Sequence, residues 1–346
     1  MISLVDKMTL HHQQNLPFVV YSKTNSDTIL GLFQRNDTLF EVTDFTEKGF
    51  VFASFDGSQN YIIPDNESEQ WSEEWTPTSE TISLKEENTF DSAAQINFQN
   101  LVTKGVQAIQ NNQFKKVVVS RKEAVDLTSF NLATAFEKLV QQYRSAFVYC
   151  FHHPKTGTWL GATPERLLKA NATNFETMAL AGTQKDTGAA TVIWQQKEQE
   201  EQQFVTDYIV SKLNTVTTAV QVSAAYSVKA GSLWHIKTDI SGAFGAKLNL
   251  KKAIQLLHPT PAVCGLPKEI AKAFIDTYEG YDRSFYTGFL GELNRDFASD
   301  LFVNLRCMQI ENNQAHLYMG CGITKDSNPE KEWKESVNKS MTMKRI

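Results

Sequence analysis

Two stretches of the chain repeat one arrangement of acids. "KEQEEQQFV" carries Glu198 and Glu201 three residues apart, and "NPEKEWKESVNKS" carries Glu332, Glu335 and, one turn on, Lys339. On a helix turning about 100° per residue, such pairs share a face. In the first stretch Val205, Tyr208 and Ile209 continue the acidic stripe, with Phe204 at its edge. The carboxylates therefore run toward the core, where they need a cation, a proton or a hydrogen-bond partner. The alternative is a first turn whose acids complement the helix dipole, and the residues leave both readings open. In the second stretch Trp333, Val337 and Met341 form the apolar stripe, and the acids lie on another face. Periodicity alone favours a solvated face with a Glu335–Lys339 pair there. Two facing Glu-x-x-Glu turns would still suit Mg²⁺, which takes few carboxylates and keeps water and substrate oxygens.

Other residues have types suited to proton transfer or anion binding. In "FKKVVVSR", strand alternation puts Lys116 with Phe114, Val118 and Ser120, and Lys115 with Val117, Val119 and Arg121. A desolvated lysine is a possible base; an edge-strand lysine that snorkels is the plainer reading. In "WLGATPERLLKA", Glu165 follows a proline and precedes "LL", an apolar setting that suits a proton-donating carboxyl. A turn acid paired with Arg166 is the alternative. Arg306 alternates with Phe302, Asn304 and Met308, which reads as an inward carboxylate clamp on one strand. "LAGT", holding Gly182 and Thr183, and "GCG", holding Gly320, bring flexible backbone whose amides can meet an anion.

These groups need a scaffold. The chain has 346 residues and a net charge of −5, the size of one large domain or two modest ones. The charge gives no general attraction to nucleic acid or to an acidic membrane. No apolar run reaches the length of a membrane span, and no basic-then-apolar leader opens the chain. The four cysteines are scattered without a CxxC pair, so a reduced, cytoplasmic protein without cysteine-bound zinc is expected. Residues 17–62 read as short strands, and 64–91 as an acidic linker or loop. Residues 1–91 thus form an N-terminal strand-rich segment plus loop, and 92–346 the main region. There, "AFVYCFHHPKTGTWLGATPERLLKA" reads as two strands about a turn, "SDLFVNLRCMQI" as one strand, and Trp194–Leu213 as a long helix. Short turns between strands favour antiparallel or mixed sheet over a doubly wound sheet. No GxxxxGK[ST] or convincing GxGxxG is present.

Taken together and in order, "FKKVVVSR", "GATPERLL", "LAGT", "KEQEEQ", "LHPTPAVCGLP", "YDRSFYTGFLGEL", "FVNLRC", "YMGCGI" and "PEKEWKESVNKS" resemble the chorismate-utilising enzymes. Within them the resemblance is to the isochorismate synthases, from about residue 95 to the C-terminus. It implies a single α/β domain with two large, mostly antiparallel sheets packed together and helices outside. It implies Lys116 as the base that activates water toward C2 of chorismate, and Glu165 as the acid that protonates the departing C4 hydroxyl. It implies Mg²⁺ held by Glu201 and Glu335, with Glu198 and Glu332 as their partners. Gly182, Thr183, Ala262, Arg306, Gly320 and Lys339 match substrate-binding positions, and Tyr286 would hold or wall the enolpyruvyl carboxylate.

Chorismate carries two carboxylates, so a net-negative protein must meet it with local positive charge. The family often has His after the second glutamate of the first acidic motif; here Gln202 keeps a neutral hydrogen-bonding group without a titrating one. Ala181 stands where aminodeoxychorismate synthases usually carry a nucleophilic lysine. Lys116 stands where anthranilate synthases usually carry Gln. Water is therefore the expected nucleophile, with no amidotransferase subunit, and a monomer is the default. Salicylate synthases share the lysine base and then eliminate pyruvate, which keeps them as the alternative, beside a non-catalytic binding protein on the same fold. Menaquinone biosynthesis is the expected destination of the product, and siderophore biosynthesis the alternative.

Overall fold

The computed structural model describes residues 3–76, 91–128, 130–188, 191–217, 219–231, 233–245 and 249–346. The chain opens with α1 (Leu4–Gln13), β1 (Phe18–Ser22), β2 (Thr28–Gln34), β3 (Phe40–Glu41), β4 (Gly49–Ala53), β5 (Asn60–Pro64) and β6 (Ser68–Glu74). Next come α2 (Ser92–Gln110), β7 (Lys116–Asp126), α3 (Leu132–Gln142), β8 (Phe147–His153), β9 (Gly157–Thr163), β10 (Arg166–Asn171), β11 (Asn174–Lys185) and α4 (Gln196–Asn214). The middle holds β12 (Val220–Val222), β13 (Tyr226–Ala230), β14 (Leu233–Ala243), α5 (Leu250–Leu257), β15 (Gly265–Leu266) and α6 (Lys268–Tyr278). The end is β16 (Phe289–Arg295), β17 (Ala298–Val303), β18 (Cys307–Glu311), β19 (Gln314–Ile323) and α7 (Pro329–Lys344).

Among the described residues the strands form two antiparallel sheets. The nine-stranded sheet runs β15-β7-β19-β18-β9-β8-β1-β2-β6. The ten-stranded sheet runs β12-β14-β11-β10-β17-β16-β4-β5-β3, with β13 also on β14. The N-terminal strands thus belong to both sheets: β1 pairs with β8, and β4 with β16. An aromatic layer fills the space between the sheets. Phe52 of the second sheet stacks on Phe151 of the first at 4.4 Å and on Phe285 at 4.5 Å.

Three expectations from sequence change. Part of the acidic stretch 64–91 is not a loop: Ser68–Glu74 is the edge strand β6, paired with β2. Its glutamates hide the strand pattern because an edge strand carries charge to discourage further pairing. Residues 77–90 of that stretch lie outside the described residues. The two strands about the "PKTG" turn are followed by a third, β10, in the other sheet. "SDLFVNLRCMQI" is two strands, β17 and β18, also in different sheets, so Arg306 sits on the corner between them and not in strand alternation. A helix that hydropathy did not suggest, α1, is set by a capping box in which Ser3 and Asp6 each accept from the other's backbone N–H.

The two corners run together. β9 and β18 are neighbours in one sheet, and β10 and β17 are neighbours in the other. Both chains therefore cross the seam side by side, tied by Ala162 N donating to Arg306 O at 3.1 Å and Val303 N to Glu165 O at 2.9 Å. Thr163 Oγ1 adds a bond to Val303 O at 2.6 Å. This paired crossing places Glu165 and Arg306 at one point between the sheets.

Candidate active site

The seam opens into a narrow cavity between the sheets. Glu165, Gly182, Thr183, Glu201, Ala262, Tyr286, Arg306, Gly320 and Lys339 all line it. Glu165 is buried, and burial pushes its carboxyl up to about 8 even though Lys116, Lys339 and Arg306 pull it down. A carboxyl in that state holds its proton at neutral pH and can donate it. Burial lowers Arg306 to about 10, with Tyr143 and Glu165 opposing, so the guanidinium stays charged at neutral pH. Its backbone lies in the left-handed region at φ 47°, a conformation that a non-glycine residue adopts only under local constraint.

A histidine that sequence reasoning did not single out fixes that guanidinium. Arg306 Nη1 donates to Ala230 O at 3.0 Å, and Nη2 meets His235 Nε2. Burial first, then the charges of Arg306 and Lys339, hold His235 well below the usual imidazole range. The ring is neutral: Nδ1–H donates to Gly182 O at 3.0 Å, and Nε2 accepts from Arg306. His235 lies opposite Thr183 in the β11–β14 register. The only sequence signal was one imidazole within an otherwise ordinary strand.

Glycines shape the walls. Gly182 sits at φ 74° at the β11 irregularity, and a Cβ there would meet Glu198 at 3.1 Å. A Cβ on Gly322 would lie 1.9 Å from Glu201 Oε1, and one on Gly320 would lie 2.9 Å from the Tyr286 hydroxyl. Backbone at these points must therefore stay bare. Tyr286 stacks on Tyr318 at 5.2 Å, so the inter-sheet aromatic layer continues into the cavity wall.

The two acidic motifs meet. α7 packs on α2 and β19, with Trp333 and Val337 in the core beside Phe98. That docking turns Glu332 inward to 1 % exposure and leaves the Glu335 side chain at 20 %. The face that periodicity reads as solvated is thus largely covered: Trp333 and Val337 pack, Met343 rather than Met341 takes the next core place, and the neighbouring acidic face meets α4 and β19. Glu201 pairs with Lys116 at 3.2 Å, Glu335 with Lys339 at 2.8 Å, and Glu332 with Lys197. Lys339 also donates to Gly320 O at 2.8 Å. Burial opposes ionisation of Glu201, but Lys116, Lys197 and Lys339 outweigh it and hold the carboxyl below its ordinary value. Burial and the charge of Glu335 push Glu332 up to about 7.

This donor set fits a hard divalent cation. Glu332 Oε2 is buried with no hydrogen-bond partner, and the charges of Glu335 and Glu201 both act on that carboxyl. Glu332 and Glu335 bring carboxylate oxygens within 4.8 Å of each other, which suits Mg²⁺; Glu201 lies outside that group and acts on it by charge. Cys321 Sγ lies within reach of Glu332 and Glu335, but it donates to Glu332 O at 3.3 Å and burial keeps the thiol protonated. Glu198 stands apart from the cluster's ion pairs, with its Oε2 accepting from Gln195 N at 2.9 Å as a helix cap. Gln202 turns away from the cavity and donates to Thr206 and Thr238 at 2.9 and 2.8 Å.

Lys116 is fully buried and stands behind the cavity wall, not in it. Its Nζ reaches Glu201 Oε1, and its Cε passes the bare Gly322. Phe114, expected on its face, packs with Val117 and Val119 on the other, because it precedes the strand and escapes its alternation.

Known proteins resemble this chain in sequence and in fold. Residues 54–346 match the family described as "Chorismate binding enzyme". The chain belongs to that family. Isochorismate synthase EntC of Escherichia coli K12 is 30 % identical over 263 residues, which cover 72 % of this chain and 66 % of EntC. The "Salicylate biosynthesis isochorismate synthase" of Pseudomonas aeruginosa is 30 % identical over 70 % of this chain and 53 % of its own length. This member of the family thus aligns with only about half to two thirds of those relatives. The fold is that of the crystal structure of a putative 2,3-dihydroxybenzoate-specific isochorismate synthase, DhbC, from Bacillus anthracis, with TM-score 0.80, 22 % identity and 98 % of both chains covered. Anthranilate synthase component I from Streptococcus pneumoniae superposes with TM-score 0.72 at 18 % identity, covering 96 % of this chain and 91 % of its own. No helix among the described residues is long and apolar enough to cross a membrane.

Proposed function

We propose that this protein is an isochorismate synthase: water adds at C2 of chorismate, the ring double bonds shift, and the C4 hydroxyl leaves as water. The observation that carries the reading is the buried Glu165 carboxyl, raised to about 8, within one cavity with Arg306 and Lys339. Glu165 donates the proton to the departing hydroxyl oxygen. Arg306, braced by His235 and the Ala230 carbonyl, binds the enolpyruvyl carboxylate, with Tyr286 as its wall. Gly182, Thr183, Ala262, Gly320 and Lys339 frame the ring. Lys116, which lies behind the cavity wall against Glu201, is the residue that the family resemblance assigns to take the proton of the attacking water.

Glu201, Glu332 and Glu335 would hold Mg²⁺, with Glu198 anchoring the turn that presents Glu201. Bound there, the ion would supply a positive centre for the ring carboxylate and share the charge of Glu201. The test is product identification by chromatography from chorismate with Mg²⁺, without ammonia. Isochorismate as the main product supports the reading. Salicylate plus pyruvate would replace it with the two-step alternative, and a requirement for ammonia would sink both. The proposed form is a monomer without an amidotransferase subunit, which light scattering of the purified chain checks. We assign the product to menaquinone biosynthesis; loss of menaquinone in a deletion strain supports this, and loss of a catechol siderophore alone overturns it.

A further inference from the structure

The acidic cluster is a partition between two cavities. Glu201 and Lys339 face the cavity of Glu165 and Arg306. Lys197, Glu332 and Glu335 face an open basin on the other side. Within the partition every carboxylate has one lysine: Glu201 has Lys116, Glu335 has Lys339, and Glu332 has Lys197. Lys116 and Lys339 have places in the proposed chemistry. Lys197 has none, yet its ammonium engages the most buried of the three carboxylates.

Its position suits exchange. Lys197 lies in the first turn of α4, and its side chain is 21 % exposed toward the basin, against 1 % for Glu332. Lysine is a compact point charge on a flexible four-carbon stem, able to swing into the basin without disturbing α4. A divalent ion on the same carboxylates would be repelled by an ammonium a few ångströms away, in surroundings that screen poorly. We propose that Lys197 is the resident counter-cation of the cluster: it neutralises Glu332 in the metal-free protein, yields to the divalent ion from the basin side, and so sets metal affinity. This rests on the proposed metal site.

The experiment is a calorimetric Mg²⁺ titration of the metal-free full chain without substrate, with thermal melts in and out of Mg²⁺. Lys197→Gln should melt lower than wild type without metal and bind Mg²⁺ at least tenfold more tightly. Lys197→Arg, which keeps the charge, should stay close to wild type in both. Unchanged or weaker Mg²⁺ binding by Lys197→Gln overturns the inference, because it would make the lysine a support for the ligand and not its competitor. Should Lys197→Gln be too unstable to titrate without metal, adding Glu332→Gln removes the orphaned charge. Melting must then recover toward wild type, and failure to recover also overturns it. Wild type that takes up no Mg²⁺ in either measurement overturns the metal-site reading and this inference with it.

Discussion

At the scale of single residues, Glu165 carries the sharpest expectation. Burial raises its carboxyl to about 8, so the proton-donating form is populated below that pH and lost as pH rises through it. The pH profile of kcat should therefore fall on the alkaline side. Glu165→Gln should abolish that limb and lower kcat by about 10²–10⁴-fold, the usual contribution of a positioned acid. A Glu165→Gln enzyme with wild-type kcat would remove the residue from the mechanism. The last helix offers an internal control. Glu335 meets Lys339 inside the cluster, while Glu330 is an exposed partner of Lys334. Glu335→Ala should weaken the Mg²⁺ dependence of turnover far more than Glu330→Ala, whose effect on stability should stay within about 0.5 kcal/mol. Equal shifts in a metal titration would return the helix to a solvated surface. The residue types of these acids were visible in sequence, but their direction was not. An apolar stripe at i, i+4 tells which side of α7 packs, and only the neighbours tell that a second side is covered as well.

At the scale of elements, the site depends on segments distant in sequence being stitched together. Arg283 does this from behind the cavity wall. Its Nη2 donates to Val118 O at 2.7 Å, and its Nη1 to Val263 O at 2.8 Å and Thr287 Oγ1 at 3.3 Å. All three acceptors belong to residues that line the cavity. Glu279 completes the knot, accepting from Arg283 Nε at 2.7 Å and from Ser120 N at 2.7 Å. Arg283→Met leaves Glu279 buried without its counter-charge and should cost about 3–5 kcal/mol in urea unfolding. Arg283→Lys should recover only part of this, because an ammonium lacks the planar fork that reaches several acceptors at once. Full stability in Arg283→Met would show that the knot is not holding the wall. Elements of this kind mark the limit of sequence reading. Helices α2, α4, α5 and α6 follow from apolar periodicity and caps such as Asp91 and Asn249. The seam corners at Glu165 and Arg306 do not, because neither "TPER" nor "VNLR" announces a change of sheet, and left-handed backbone at an arginine has no signature in residue type.

At the scale of the whole molecule, the two sheets form one body because the aromatic layer between them is continuous. Phe52 touches both sides of it, and the layer ends in Tyr286 and Tyr318 at the cavity. The resemblance supplied the packing of two sheets, while the order of strands within them came only from pairing, since antiparallel partners such as β7 and β19 lie far apart in the chain. Removing a central ring tests whether the layer serves stability or catalysis. Phe52 is fully buried and touches no part of the carboxylate cluster, so Phe52→Ala should leave a cavity costing about 3–5 kcal/mol. Kinetics at a temperature where the variant is fully folded should return a kcat near wild type, because Glu165 and Arg306 are held by the paired crossing and not by that ring. A large fall in kcat in a folded Phe52→Ala enzyme would mean instead that the layer sets the geometry of the seam, and that the stacking from Phe52 through Phe285 to the cavity wall is part of what positions the acid.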